Sequence, residues 1–194
     1  MSAITAGYTL TCDDENNIGG VRRLFLINKT SIDQDAGFTA DPDTDNHAYL
    51  TYTTVGTTAS SENRWHEFTF QENTLSAGWE NTISQENGTN FVSYDVQGFV
   101  PRQEKVKAKR LQDAIKSCKL IAIAQNNKGE AFVYGYDETL KTDAAMKAAA
   151  DGESGTALED RSGYQFRLEG QGSDIPRQYV GFIVTTDGTI VTFT

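Results

Sequence analysis

Residues 98–140 read GFVPRQEKVKAKRLQDAIKSCKLIAIAQNNKGEAFVYGYDETL, and this stretch decides the fold. Its order of patterns predicts a strand, a helix, a second strand, a tight turn and a third strand. Pro101 stands where a helix can begin, because its missing N–H costs nothing at the first helical position. Apolar residues then recur at spacings of three and four, which places them on one face of a single helix: Ala108, Leu111, Ile115 and Cys118.

The rest of the chain has the alternating, aromatic-rich and β-branched texture that is typical of strands. Three successive strands are predicted as a meander between residues 64 and 100, and the turn sequences NNKG and DG at 126–129 and 187–188 predict two hairpins. Residues 139–150 are open between helix, which their alanines favour, and an extended stretch. We expect a mainly β protein with one α-helix against a mostly antiparallel sheet system, folded as a single domain over residues 1–194.

A long polar and breaker-rich segment, residues 30–63, interrupts the strand pattern. Loops of this length are uncommon in compact domains and are usually functional or disordered. We expect a loop or hairpin excursion that reaches beyond the core to contact another subunit, with a surface loop of the isolated monomer as the equal alternative. The residues expected to make this inter-ring or inter-subunit contact are Asp41, Asp43, Asp45, His47 and Tyr49.

The three aspartates of this segment alternate as they do in a calcium loop, where oxygen ligands on alternate residues converge on one cation. The other parts of such a loop are missing. Asn46 stands in place of the glycine at the sharp turn, and Tyr52 stands in place of the bidentate glutamate. We therefore expect no metal site there.

Charge is segregated along the chain. The formal net charge is -10, yet residues 102–119 carry seven Lys or Arg against Glu104 and Asp113. The rest of the chain is acidic, which argues against nucleic-acid binding, because phosphate binding needs clustered cations. The basic helix has two interpretations: a solvated surface that maintains solubility, or a face that docks on an acidic surface of a second copy or a neighbouring protein. The residues of that face are Lys105, Lys107, Lys109 and Arg110.

Catalytic and cofactor motifs are missing from the sequence. The two histidines, His47 and His66, have no Cys, Asp or second His at a metal-ligand spacing, and no nucleophile elbow, Walker loop or dinucleotide fingerprint occurs. No apolar run approaches the roughly 18 residues of a membrane-spanning helix. We expect no catalytic residues, no cofactor and no contact with a membrane, so the protein is expected not to be an enzyme.

The C-terminal half resembles the tail tube and related tail or connector-ring proteins of phages that infect Bacteroidetes. The likeness includes the order of strand, amphipathic helix, strand, Asn-Lys-Gly turn and a strand that ends in Tyr-Gly-Tyr. An Ala-rich insertion over Asp143–Ala150 departs from the family pattern. Further on, the matching residues are Thr156, Asp160, Ser162, Gly163, Tyr164, Gly170 and Pro176.

The resemblance implies a fold, an assembly and a location. The implied fold is a β-sandwich or split barrel with a flanking helix, as in a phage tail tube. The implied assembly is a homo-oligomeric ring, with a hexamer favoured and higher order possible, that contacts other phage tail or connector proteins. Genomic DNA would pass through an acidic lumen without specific binding, in a virion assembled in the host cytoplasm. The alternative from another class is a carbohydrate- or surface-binding β module, in which Trp65, Trp79 and the tyrosines would supply stacking platforms, although packing into the core is the expected fate of these aromatic side chains.

Overall fold

A computed structural model describes residues 20–43, 46–56, 60, 63–70, 74–84, 89–117, 119–154 and 162–193. The described residues form mostly strands and one α-helix. Two short 3-10 helices cover Lys29–Ser31 and Thr142–Ala144. The remaining elements are β1 (Val21–Asn28), β2 (Phe38–Ala40), β3 (Ala48–Tyr52), β4 (His66–Phe68), β5 (Ser76–Ser84), β6 (Thr89–Pro101), α1 (Lys105–Lys116), β7 (Leu120–Asn126), β8 (Ala131–Tyr134), β9 (Lys147–Glu153), β10 (Gly163–Gly172), β11 (Arg177–Tyr179), β12 (Phe182–Val184) and β13 (Ile190–Thr192).

The strands form two large sheets and one hairpin. The first sheet has seven strands in the order β2-β3-β11-β8-β7-β1-β4, and the second has four in the order β5-β6-β10-β9. Strands β12 and β13 form a separate hairpin, which is linked to the seven-stranded sheet by a parallel bridge between Trp65, just before β4, and Thr185. The two large sheets face each other as a β-sandwich flanked by α1, which confirms the prediction of a mainly β fold with one helix.

The seven-stranded sheet is buried on both faces at its centre. In β1, Leu24 and Leu26 point into the core between the two large sheets, whereas Phe25 and Ile27 point to the opposite side. This follows from the two-residue period of a strand, which sends successive side chains to opposite faces. A strand buried on both sides has a continuous apolar sequence, and β7 has the same character in LIAIA.

The second face of this sheet carries a cluster of aromatic rings. Trp65 is fully buried there and meets the ring of Phe38 at 6.4 Å between centroids. Hairpin β12–β13 and the residue that follows it complete the cluster, because Ile183 and Phe193 are buried in the same core. Aromatic pairs in edge-to-face contact add to the stabilisation from apolar burial.

The four-stranded sheet is buried on one face only. Val96 on β6 and Leu168 on β10 are directly opposite each other, and both are fully buried in the core of the sandwich. The alternating residues of the same strands, including Asp95 and Glu169, point away from the core. This alternation is the ordinary pattern of an antiparallel sheet with one solvated face.

Helix α1 flanks the sandwich close to β9, and its position differs from the predicted one. Pro101 is the last residue of β6, where it still pairs with Gly163, and the helix begins only at Lys105. Arg102 bridges the two with φ 64°, and its N–H donates to the carbonyl of Ser162 at 2.9 Å. The strand pairing therefore persists past the proline and delays the helix.

The buried face of α1 also differs from the predicted one. Leu111 is buried as expected, but the second buried residue is Ala114, whereas Ile115 is 42% exposed. Ala108 is half-buried and Cys118 lies outside the described residues. Neighbouring helical residues are about 100° apart, so the choice of Ala114 rotates the helix by one position and turns Ile115 to solvent.

The described residues between 30 and 63 do not form an excursion beyond the core, which corrects the prediction for that part of the segment. The described part of this segment supplies β2 and β3, which end the seven-stranded sheet, and β3 pairs in parallel with β11. Ile32 and Phe38 are buried in the aromatic cluster. These isolated apolar residues anchor a segment whose overall polarity suggested a surface loop.

The predicted meander between 64 and 100 is also only half right. Strands β5 and β6 pair as expected, but β4 pairs with β1 in the other sheet. The open question at 139–150 is resolved as a 3-10 turn followed by β9, and just before β9 the backbone of Met146 pairs with Leu120. That bridge links the two large sheets. The predicted hairpins at 126–129 and 187–188 are confirmed, with Gly129 and Gly188 at positive φ.

Candidate functional site

The four predicted docking cations divide into two stripes on α1. Lys105 and Lys109 are exposed, and they are four residues apart, which places them on one stripe of the helix surface. Lys109 pairs with Asp113 at 2.6 Å, and this hydrogen bond lowers the pKa of the Asp113 carboxyl group. The first stripe is therefore a solvent-facing one with part of its charge neutralised.

Lys107 and Arg110 form the second stripe and border a groove. The Lys107 side chain is half-buried, and its Nζ donates to the carbonyl oxygen of Pro101 at 2.7 Å. The groove has a volume of about 640 Å³ and lies between α1 and β4. We call it the α1–β4 groove, and its principal lining residues are Phe68, Val100, Val106, Leu111, His66, Lys107 and Arg110.

The α1–β4 groove combines apolar walls with positive charge. Val106 is 60% exposed at its mouth. Arg110 and His66 also line a smaller pocket of about 170 Å³ beside it. Partial desolvation lowers the pKa of His66, and the nearby Arg110 lowers it further. Glu67, the acidic residue of the groove, is paired with Arg23 at 2.7 Å.

The predicted contact residues at 41–49 are divided between a surface turn and the core. The Asp41 carboxylate accepts hydrogen bonds from the Asp43 N–H at 3.0 Å and from the side-chain amide of Asn46 at 3.2 Å. These bonds are those of a local turn formed by an aspartate side chain. Asp41 therefore stabilises the connection between β2 and β3.

Tyr49 is in the core, which excludes it from a surface that contacts another subunit. It is 0% exposed, and the guanidinium carbon of Arg177 lies 5.3 Å from its ring centroid. Burial raises the pKa of the Tyr49 hydroxyl. His47 is exposed, with Nε2 3.2 Å from the carbonyl oxygen of Ile175, and Asp45 lies outside the described residues. The four described residues of this predicted contact therefore do not share one surface, because Tyr49 is buried and the other three are not.

An exposed apolar strip on β5 was missed by the sequence reasoning. Ala77 and Trp79 pair with Val96 and Tyr94, so both point toward the inner side of the four-stranded sheet. Trp79 is nevertheless 49% exposed and Ile83 is 65% exposed, because β5 extends past the core. We call Trp79, Asn81 and Ile83 the β5 overhang. The two-residue period of β5 predicts that these side chains share one face of the strand. Only the position of β5 at the edge of the sheet shows that this face is exposed.

The outer side of the four-stranded sheet is a second surface that the sequence reasoning did not define. Asp95 and Glu169 are directly opposite each other on β6 and β10, and Lys147 on β9 is opposite Glu169. Arg167 pairs with Asp151 at 3.0 Å. We call this surface the polar sheet face, and its charged residues are Glu80, Asp95, Asp151 and Glu169 against Lys147 and Arg167.

Metal-binding and membrane-spanning features do not occur in the part of the chain that the structure describes. Its His, Cys, Asp and Glu residues form no group of three that could hold a metal ion. Its helices are too short and too polar to cross a membrane. We compared the chain with protein-family models, curated proteins and solved structures. None of the three comparisons finds a match. Function is therefore inferred from the surfaces of the chain itself.

Proposed function

We propose that this chain is a non-enzymatic structural protein of a phage virion, which forms a homo-oligomeric ring around the DNA channel as a tail tube or a head-to-tail connector ring. The observation that carries the proposal is the four-stranded sheet, with one buried face, one polar and mainly acidic face, and an edge strand at each end. A hexamer is the favoured ring, and higher orders are compatible with the same contacts.

Ring formation accounts for the edge strands. Among the described strands, β5 and β9 each pair on one side only. An unpaired edge is a template for further strand pairing, and closure removes it. If β5 of one copy lies beside β9 of the next, the two edges form a heterologous contact, and such contacts close into a ring when the rotation permits. The joined four-stranded sheets would then line a continuous channel.

The charge of the polar sheet face fits a channel for DNA. Asp95 and Glu169 stand side by side on it, and its acidic residues outnumber its basic ones. A surface with a negative potential repels phosphates, so a polyanion passes without being held. Strong DNA binding would need clustered cations that release counterions, and the cations among the described residues of β5, β6, β9 and β10 on this face are Lys147 and Arg167.

The cations of α1 supply the opposite charge at a different place. Lys105, Lys107, Lys109 and Arg110 lie on a helix that flanks the sandwich. Such a surface can attract an acidic face of a second copy or of another tail or connector protein. Segregation of the two charges onto separate surfaces therefore favours assembly outside the channel and free passage within it.

A charge reversal on α1 tests assembly. With Lys105, Lys107, Lys109 and Arg110 all changed to Glu, we expect the concentration needed for assembly to rise at least about tenfold, because attraction becomes repulsion. Sedimentation velocity and electron microscopy measure assembly, and thermal unfolding checks the fold. Arg22→Glu with Lys128→Glu, which adds half as much negative charge away from the helix, is the control. Undiminished ring formation by the helix variant would leave α1 as solvated surface, and a monomeric wild-type protein at high concentration would refute the ring.

A carbohydrate-binding module is the second candidate, and Trp79 is the observation that favours it. Its indole is half-exposed, whereas Trp65 is buried and cannot stack on a ligand. Aromatic side chains with exposed faces can pack against sugar rings. Glycan-array binding by the wild-type protein, lost in a folded Trp79→Ala variant, would favour this function over the ring.

A further inference from the structure

We infer that the α1–β4 groove binds an extended, acidic peptide segment of another protein, which adds as a strand to the free edge of β4. The inference goes beyond the proposed function, and one step rests on it, because the proposed ring leaves this edge unused by neighbouring copies. The groove combines the three features that such a segment needs, which are an edge strand without a partner, apolar lining residues and uncompensated positive charge.

Strand β4 is the free edge of the seven-stranded sheet. The faces of this sheet are covered at its centre, but β4 pairs with β1 on one side only. On the other side the structure describes one bridge, just before β4. There the Trp65 N–H donates to the carbonyl oxygen of Val184 at 3.0 Å, and the Thr186 N–H donates to the carbonyl oxygen of Trp65 at 3.0 Å. This edge is therefore already used for strand pairing at one point.

The pairing on this edge stops where the groove begins. Successive residues of a strand turn their N–H and C=O groups to alternate sides, so the groups of Glu67 point away from β1, as those of Trp65 do. The chain that pairs with Trp65 turns back at Thr186 and Asp187, so within the described residues it supplies no partner for Glu67. Glu67, Thr69 and Thr186 line the α1–β4 groove. The unpaired edge of β4 therefore lies inside the groove.

The groove can also bury apolar side chains of an added strand. Phe68, Val100 and Leu111 line it, and Val106 of α1 is 60% exposed at its mouth. A strand sends every second side chain to the same face, so a segment paired with β4 places alternate side chains on the side of Phe68. The groove volume of about 640 Å³ lies within the usual range of binding pockets, roughly 300–1,000 Å³. Strand addition to an exposed sheet edge combines backbone hydrogen bonds with such pockets for alternate side chains.

The uncompensated charge of the groove is positive. The described carboxylates of β4 and of α1 with its N-cap residue are already in ion pairs of 3.2 Å or less, which join Glu67 to Arg23, Glu104 to Arg102 and Asp113 to Lys109. Lys107 and Arg110 line the groove and form no ion pair with a described carboxylate. Complementary charge selects the partner of an interface, so the added segment is acidic.

Another protein is the expected source of this segment. In the proposed ring, neighbouring copies pair through the edges of β5 and β9, which leaves the edge of β4 free. Other tail or connector proteins are the partners that such a ring contacts. Strand addition requires only one extended, acidic segment from a partner of this kind.

Selection from a random nonapeptide library tests the chemistry of the occupant. Selection on the wild-type protein should enrich peptides that combine Asp or Glu with β-branched residues. Synthetic copies of these peptides should bind Arg110→Glu at least about tenfold more weakly, because attraction becomes repulsion. Lys105→Glu, on the other stripe of α1, is the matched control and should change the affinity by less than about twofold. Fluorescence anisotropy measures binding, and thermal unfolding checks the fold. Enrichment of peptides without acidic residues, or equal losses in the two variants, would overturn the inference.

N-methylated copies of an enriched peptide test the backbone pairing. Methylation of the alternate N–H groups that face β4 should lower the affinity at least about tenfold, because a methylated amide cannot donate to the edge strand. Methylation of the other alternate set is the control and should be tolerated. Hydrogen exchange at the Glu67 amide should slow when the unmodified peptide binds, whereas the His66 and Phe68 amides, which face β1, should change little. Equal effects of the two methylation patterns, or unchanged exchange at Glu67, would overturn strand addition.

Ring assembly separates another protein from a second copy as the occupant. Arg110→Glu alone should assemble as the wild-type protein does, since Lys105 and Lys109 of the other stripe remain. Loss of rings in Arg110→Glu would place a second copy in the groove and overturn the inference. Wild-type rings that bind no acidic peptide would overturn strand addition and leave the proposed function intact. Peptide binding by a wild-type protein that remains monomeric would support strand addition at β4 and reject the ring.

Discussion

The two large sheets differ in what covers their faces. The seven-stranded sheet is buried on both sides, since Leu24 faces the sandwich core and Phe25 faces the aromatic cluster. The four-stranded sheet buries one side and leaves Asp95 and Glu169 on the other. A sheet enclosed on both faces has little free surface for binding. The first sheet therefore provides stability, whereas the second, with α1, provides the surfaces on which function is proposed.

The two tryptophans give the largest expected contrast between these sheets. Trp65 is fully buried against the seven-stranded sheet, so Trp65→Ala should lower the free energy of unfolding by about 3–5 kcal/mol. Trp79→Ala, on the half-exposed β5 overhang, should lower it by less than about 1 kcal/mol. Urea unfolding of both variants measures the difference. Equal losses would contradict the assignment of stability to one sheet and of docking to the other.

Alkaline pH should weaken the interior between the sheets. Burial raises the pKa of Tyr134 on β8 to about 12 from the ordinary value of 10.0. Because the folded-state pKa is the higher one, this stabilisation is complete below pH 10 and decreases as the pH rises toward 12. A shift of this size corresponds to roughly 2–3 kcal/mol. Urea unfolding between pH 9 and about 12 should therefore weaken less steeply in Tyr134→Phe than in the wild-type protein. If the unfolding free energies of the two proteins fell equally with pH, the Tyr134 hydroxyl would be in contact with water.

Two glycines of the four-stranded sheet compare the packing of β10 with that of the edge strand β5. At Gly163, an added Cβ would lie 2.3 Å from the carbonyl oxygen of Val100, so Gly163→Ala should cost about 1–3 kcal/mol in unfolding free energy. Gly78, on β5, has nothing within 4 Å of that position, and Gly78→Ala should stabilise by up to about 1 kcal/mol. Thermal unfolding measures both. A costly Gly78→Ala would mean that the β5 edge is packed in the monomer.

Substitutions on the polar sheet face should change the unfolding free energy least. Asp95→Asn removes the repulsion between two opposed carboxylates and should raise the unfolding free energy by about 0.2–1 kcal/mol at low salt. Asp151→Asn is the matched substitution with the opposite sign, because it breaks the 3.0 Å ion pair with Arg167. Salt screens exposed charges, so both effects should shrink at 1 M salt. Changes of the same sign in the unfolding free energy would show that charge interactions do not determine the effect of substitutions on this face.

The predictable part of the fold depended on local signals. The sequence at 126–129 and 187–188 predicted both hairpins, because a tight turn needs Asn, Asp and Gly at fixed positions. The pairing of β4 with β1 could not be predicted, since the sequence of a strand does not identify a partner about 40 residues away. The described part of residues 30–63 was misassigned for the same reason, because the partner of β3, strand β11, lies more than a hundred residues further along the chain.

The candidate site was predictable only in composition. The local excess of Lys and Arg identified the cations of α1. Their division into two stripes depends on how far the helix is rotated on the sandwich. The burial of Ala114 in place of Ile115 sets that rotation. Trp79 was expected in the core because aromatic residues usually pack there. Its exposure follows from the edge position of β5, which tertiary structure alone determines.

Electron cryo-microscopy of the assembled wild-type protein tests the central claim most directly. We expect closed rings in which four-stranded sheets of neighbouring copies join around a central channel, with Asp95 and Glu169 facing the channel. The α1 helices should lie outside that channel. Monomers alone at high concentration, or rings whose channel is lined by another surface of the chain, would contradict the proposal.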